Sequence, residues 1–447
     1  MNRSRQITWA LVLTTSVVAW AAQEQPGMGD LVRRAVADGR LAFKLTTPDE
    51  FKALLGAPTQ ENTKADGGME TLALAYPGVQ AMFGRMRDYS APFTLLGLGV
   101  RGEGLDIGQD RQIVLRSAAD LAKFDPFWGL ANVSLARVDL TDQGELLAKM
   151  PFDSRTAWPS SDKLPKGLDP VRLLEDGKNP GLGVRALHQR GVDGRGVGIA
   201  VIDQPLLRNH VEYADRIVRY ERIAVGDMEP QMHGPPVTSI AAGKTCGVAP
   251  AATLTYFAVP MWERDNTPYC DTIDKIIAFN ENPGDLPRVR VVSISTGMFP
   301  QQRHYDRWKE SLKKAEEHGI LVVTCAQEAF KYGMVGLAEG GDPDDPNDYK
   351  TGLYGVRPGA VLVPASNRTT ACHLGPDIYT YWRQAGISWA TPYLAGVAAL
   401  AYQVHPDIKP ADILGLCAET ATQTDVGLII NPAGLVEAVQ KLRSEGQ

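Results

Sequence analysis

Histidine is scarce in this chain: there are seven in 447 residues, and none before His188. The first 187 residues therefore offer no imidazole for acid–base work at neutral pH. Cysteine is scarce too. Cys246, Cys270, Cys325, Cys372 and Cys417 make an odd count with no metal-ligand spacing, which excludes a zinc- or iron–sulfur-type framework. Small buried apolar side chains, with one bridge at most, account for them most simply. No long basic run appears and the formal net charge is −6, which excludes nucleic acid as the expected partner. Nor is there an apolar run of the roughly 20 residues that a membrane-spanning helix needs.

The longest such run, residues 7–20, follows the positive stretch Met1-Asn2-Arg3-Ser4-Arg5 and ends in the small-x-small site Ala19-Trp20-Ala21. Residues 1–22 read as a signal peptide. The expectation is export, to the medium, periplasm or cell envelope, with no stable membrane span once the leader is cleaved.

Length and a 44% hydrophobic fraction allow two or three domains with real cores. Residues 26–150 mix helix-like and strand-like segments and predict a smaller α+β N-terminal domain, either accessory or a pro-domain. Within it, Thr47 caps a short helix that Pro48 opens and Gly56 closes, while residues 69–76 and 93–100 read as strands. Residues 151–180, rich in Pro, Gly, Ser, Asp and Lys without apolar periodicity, read as a linker. From residue 181 to 447 short apolar runs (197–202, 253–259, 289–294, 320–325, 360–365) alternate with helix-like segments (184–190, 237–243, 272–280, 305–318, 389–404, 411–421). That alternation predicts a doubly wound, mostly parallel α/β sheet with helices on both faces. Reactive groups in such sheets gather at the carboxyl ends of the strands.

Three segments supply the groups for nucleophilic chemistry. The run Val197-Gly198-Ile199-Ala200-Val201-Ile202 ends in Asp203. His233-Gly234 opens a small-residue helix in which Pro235 and Pro236 fall in the tolerant first turn. Ser388 opens another helix, with Pro392 read as still in its first turn. A serine hydroxyl needs a base, the base needs an orienting acid, and Asp…His…Ser is one of the few chain orders in which the three are assembled. A lipase-type order is excluded, since no Asp or Glu lies between Ser388 and His405, the one later histidine.

These motifs resemble those of the subtilisin-like serine peptidases (subtilases) over residues 181–445. The likeness rests on Val201-Ile202-Asp203 with His210 shortly after, on His233-Gly234 followed by Gly247-Val248-Ala249-Pro250, and on Ser293-Ile294-Ser295-Thr296-Gly297. It rests most on Gly386-Ile387-Ser388-Trp389-Ala390-Thr391-Pro392 continuing to Ala395-Gly396, and extends to the closing segment 427–433. It implies a subtilisin-like fold and peptide-bond hydrolysis, with Asp203, His233 and Ser388 as the triad and a polypeptide substrate paired to the backbone of Ser295, Thr296 and Gly297. It also implies Gln327 in the oxyanion hole, where the family has Asn. Gln keeps the amide donor but moves it by roughly an ångström, against a tolerance of about 0.5 Å. Gln204-Pro205, Pro235-Pro236, Ile387 and Trp389 depart from the family pattern as well. A catalytically impaired, peptide-binding scaffold is therefore the alternative. No cofactor is required. Calcium, which subtilases often hold, would fall to the acidic loop 342–348, although that loop lacks ordered ligand spacing and a solvated loop is the simpler reading.

Overall fold

In a computed structural model, residues 27–66, 69–87, 91–108, 111–127, 129–327 and 330–445 are described. The expected signal peptide lies outside them. The chain divides into two compact units, one comprising residues 1–113 with 119–125, the other residues 114–118 with 126–447.

The first unit is α+β. The helix Pro48–Leu55 carries the expected Thr47 cap, completed as a capping box: the Thr47 side chain accepts from the Glu50 N–H and the Glu50 carboxylate accepts from the Thr47 N–H. An antiparallel meander follows, with strands at Gln60–Asp66, Met69–Tyr76, Val79–Met86, Thr94–Val100 and Glu103–Gly104. Phe51, Leu74, Val79, Phe83 and Leu95 are buried in its core.

The second unit is built on five parallel strands: β1 (Gly198–Asp203), β2 (Ile217–Arg222), β3 (Thr253–Ala258), β4 (Val289–Ile294) and β5 (Leu321–Thr324), in the order β2-β3-β1-β4-β5. Successive residues of a strand point to opposite faces, and both faces here are covered. Ile199 and Val201 join a core with the helix α1 (Gly234–Ala242) and the helix α4 (Ile387–Val404). Ala200 and Ile202 join another with α2 (Thr267–Glu281) and α3 (Tyr305–Glu317). That two-sided burial is why the strands read as unbroken apolar runs, and the fold is α/β with a parallel sheet covered by helices on both faces. The run near 360–365 instead forms a strand, Val361–Pro364, in a second, mixed sheet with Tyr332–Leu337 and Gly427–Ile429.

Two expectations are corrected. The boundary between units falls near residue 126, not 150, and residues 151–180 are no linker. Phe152 and Asp153 form a strand paired with Tyr379–Trp382, the Phe152 ring packs on Trp158 and Tyr381, and Asp169 caps a helix at Pro170–Asp176. Polar and Pro-rich composition here reflects turns wrapped on a core, with the buried Asp153 carboxylate held by Arg155 and the Thr156 hydroxyl. All five cysteines are unbridged, and only Cys325 is half-exposed.

The second unit buries titratable groups with consequences for acid stability. Burial lowers the pKa of His210 against the opposing pull of the Ile378 carbonyl, and burial, with Arg155 adding, lowers His373 to about 4. Burial alone would raise Glu212, but donors from Thr245, Tyr379 and Cys246 outweigh it and hold the carboxyl below its ordinary value. A lowered imidazole refuses protons that the unfolded chain accepts below pH 6.5, and a lowered carboxyl loses its advantage as pH falls through 4.5. Both act in the same direction. Thermal midpoints should be level above pH 6.5, fall towards pH 4 and fall faster below 4.5. A His373→Gln variant should lose less between pH 6.5 and 4, and a flat profile from pH 7 to 4 contradicts this.

Candidate active site

Asp203 is the last residue of β1, at the carboxyl rim of the sheet, and is fully buried. A buried carboxylate must be satisfied by donors. The Gln204 N–H donates to Oδ1 at 2.8 Å, and His233 Nδ1 lies 2.8 Å from Oδ1 and 3.0 Å from Oδ2. A carboxylate in those positions selects the tautomer with the proton on Nδ1 and leaves Nε2 as the basic nitrogen. The loop behind Asp203 is braced by Tyr256, whose hydroxyl donates to the Gln204 carbonyl. Burial first, and the Asp203 charge second, keep that phenol protonated.

His233 stands immediately before α1, and its side chain is 16% exposed. Glycine must follow it: a Cβ at Gly234 would lie 2.5 Å from the Tyr256 hydroxyl and 3.0 Å from the Gln204 carbonyl oxygen. Pro235 and Pro236 occupy the first turn of α1, as expected. Further along, α1 packs directly on α4, where a Cβ at Gly396 would meet Val248 at 2.6 Å and the Ala241 carbonyl at 2.9 Å. The glycines of both motifs thus serve close approach.

Ser388 is the second residue of α4, after the N-cap Gly386. Its N–H, in the first turn, lacks an intrahelical acceptor. Pro392 lies inside the helix and not in the first turn. A proline has no N–H for the carbonyl four residues back, and that carbonyl belongs to Ser388. The Ser295 hydroxyl takes the vacant place, donating to the Ser388 carbonyl at 2.9 Å, while Ser388 Oγ donates to the Ser295 carbonyl at 3.2 Å. Ser388 is therefore tied reciprocally to the segment after β4. Its hydroxyl makes no hydrogen bond to His233, although the ring of the next residue, Trp389, sits edge-on to the imidazole with centroids 5.3 Å apart.

Ser295 is buried, with Thr296 and Gly297 half-buried beyond it. The Thr296 carbonyl accepts from Cys325 N–H at 3.0 Å and the Gly297 carbonyl from the Gln302 amide at 3.3 Å. Cys325 opens the turn after β5, and its Sγ lies 3.3 Å from Thr391 Oγ1 in α4. Gln327 ends that turn in a left-handed conformation, φ 62°, unusual for a non-glycine residue. The segment after β4, the turn after β5 and the start of α4 thus converge. Two features were missed in the sequence: the reciprocal serine pair, signalled only by Pro392 standing four residues after Ser388, and a contact from Arg357 to Gln327, which leaves no sequence signal.

The acidic loop does not fit a calcium ion. Asp342 accepts from the Asp344 N–H, Asp344 from Gly183, Asp345 from Asn347 and Asp348 from Asp342, so its carboxylates fold onto backbone donors. Among the described residues no group of three acidic, histidine or cysteine side chains is placed to hold a metal.

A sequence model of the subtilase family matches residues 194–350. The likeness to that family is confined to the matched segment. It takes in Asp203, His233, the 295–297 segment and Gln327, and stops short of Ser388. The chain is 24% identical over 290 residues to the subtilisin-like protease PopC of Myxococcus xanthus, a match covering 54% of this chain and 58% of the relative. Among solved structures, a chain of the subtilase cytotoxin SubAB assembly covers 60% of this chain and 98% of its own length at 17% identity, with a TM-score of 0.48. The prenylagaramide maturation protease PagA aligns at 18% identity, covering 57% of this chain and 98% of its own, with a TM-score of 0.43.

Removing the Ser295 hydroxyl should leave the Ser388 carbonyl without that donor, at a cost of about 1–3 kcal/mol. A Ser295→Ala variant should therefore unfold several degrees lower in a thermal melt. An unchanged midpoint would mean that Ser295 does not support the start of α4.

Proposed function

We propose that this chain is an exported serine endopeptidase that cleaves peptide bonds through an acyl-enzyme. The observation carrying this reading is the pairing of buried Asp203 with His233 Nδ1 at 2.8 Å, at the rim where the first turn of α4 brings Ser388. With Nδ1 committed to the carboxylate, Nε2 is the general base. Turning Ser388 about its Cα–Cβ bond, from one staggered rotamer to another, would release the Ser295 carbonyl and direct Oγ elsewhere. Catalytic hydrogen bonds commonly tighten only when substrate binds.

In this mechanism His233 Nε2 takes the Ser388 proton as Oγ bonds to the substrate carbonyl carbon. The carbonyl electrons move to oxygen, and the oxyanion is held by the Ser388 N–H, at the positive end of α4, and by the Gln327 amide. The imidazolium then passes its proton to the departing amine as the C–N bond breaks. Water, deprotonated by His233, repeats the attack and frees Ser388. The extended substrate would lie along Ser295, Thr296 and Gly297. The leader 1–22 would direct export, and the first unit would act as an accessory or pro-domain. Among the described residues no helix is long and apolar enough to cross a membrane.

One observation favours a second reading, a peptide-binding scaffold of low activity: Ser388 Oγ is engaged by Ser295. A fluorophosphonate probe separates the two. Oγ attack on phosphorus, loss of fluoride and proton transfer to His233 should leave a phosphonylated Ser388, identified by mass mapping and absent from a Ser388→Ala variant. A folded protein that takes no label supports the scaffold. N-terminal sequencing of the exported protein should find a start near residue 23 if the first unit is retained, and near residue 126 if it is removed.

A further inference from the structure

An oxyanion donor must be held within about 0.5 Å of its place, and Gln327 carries its amide on three rotatable bonds where asparagine has two. The Gln327 side-chain oxygen accepts a hydrogen bond from Arg357 Nη2. A guanidinium carries only donors, so this contact fixes which way the amide faces. The oxygen turns to Arg357, and both N–H bonds of the NH2 group turn away from it. The backbone beneath is fixed as well: the Gln327 N–H donates to the Thr324 carbonyl at 3.2 Å and the Ala326 N–H to Thr324 Oγ1 at 3.2 Å. Arg357 stands in a turn after the strand Tyr349–Tyr354, which the Ala360 N–H closes onto the Arg357 carbonyl at 3.0 Å. Its charge polarises the amide, strengthening the N–H as a donor.

We propose that Arg357 is the positioning residue of the oxyanion hole. It clamps the Gln327 amide by its oxygen, presents the NH2 to the developing oxyanion, and offsets the freedom of the longer side chain. This rests on the peptidase reading above.

The test is steady-state hydrolysis of casein by the full chain, with the fluorophosphonate inactivation rate as a second readout. Each variant is first melted to confirm that it folds. Arg357→Ala should lower kcat by about tenfold, a fraction of the 10²–10³ that a lost oxyanion donor costs, with KM changed less than about twofold. Arg357→Lys, which restores a donor, should recover most of the loss. In a Gln327→Ala background the Arg357→Ala change should alter kcat by less than about twofold, because its target is gone. An equal drop with and without Gln327, an effect confined to KM, or a folded Arg357→Ala protein as fast as wild type overturns the proposal while leaving the peptidase reading intact. Wild-type protein inert to both casein and fluorophosphonate overturns the peptidase reading, and this inference with it.

Discussion

The buried charge of Asp203 is the constraint on which the rest depends. A carboxylate at the end of a central strand, with no exposure to water, survives only if fixed donors replace its hydration. The Gln204 N–H and His233 Nδ1 supply them, and the neighbouring residues follow from that arrangement. Tyr256 braces the Gln204 carbonyl, Gly234 leaves room for Tyr256, and α1 must begin where His233 reaches back to the strand end. One electrostatic requirement therefore fixes the position, orientation and tautomer of an imidazole.

The Ser388 side obeys a different rule, the completeness of backbone hydrogen bonding. Pro392 deprives the Ser388 carbonyl of its helical partner, and the Ser295 hydroxyl restores one. That links the first turn of α4 to the segment where a substrate strand would pair. Departures from the subtilase pattern fall on both sides, at Gln204-Pro205 and Pro235-Pro236 beside Asp203 and His233, and at Gln327, Ile387 and Trp389 here. Trp389 fills the space beside His233, and the Gln327 backbone is left-handed.

Much of this was legible in the chain. The apolar runs of β1, β3, β4 and β5 stood out because burial on both faces removes polar residues from them. Asp203 stood out because it ends an apolar run, and His233 and Ser388 because their motifs carry Gly234 and Gly396, which close packing requires. What escaped was structure with little one-dimensional trace. The edge strand Ile217–Arg222 is charged and half-exposed, so it lacks an apolar run. The strand at Phe152–Asp153 is two residues long and pairs 227 positions away, Asp153 with Thr380, inside a segment whose composition imitates a linker. The Arg357–Gln327 contact joins residues 30 apart through exposed side chains, and no local pattern encodes it.

If the Asp203–His233 pair orders the base for Ser388, replacing the carboxylate by its isosteric amide should leave the fold intact and present the wrong tautomer. Casein hydrolysis by a folded Asp203→Asn variant at neutral pH measures this directly. A fall in kcat of about 10³–10⁴ is expected. Activity within about tenfold of wild type would contradict it.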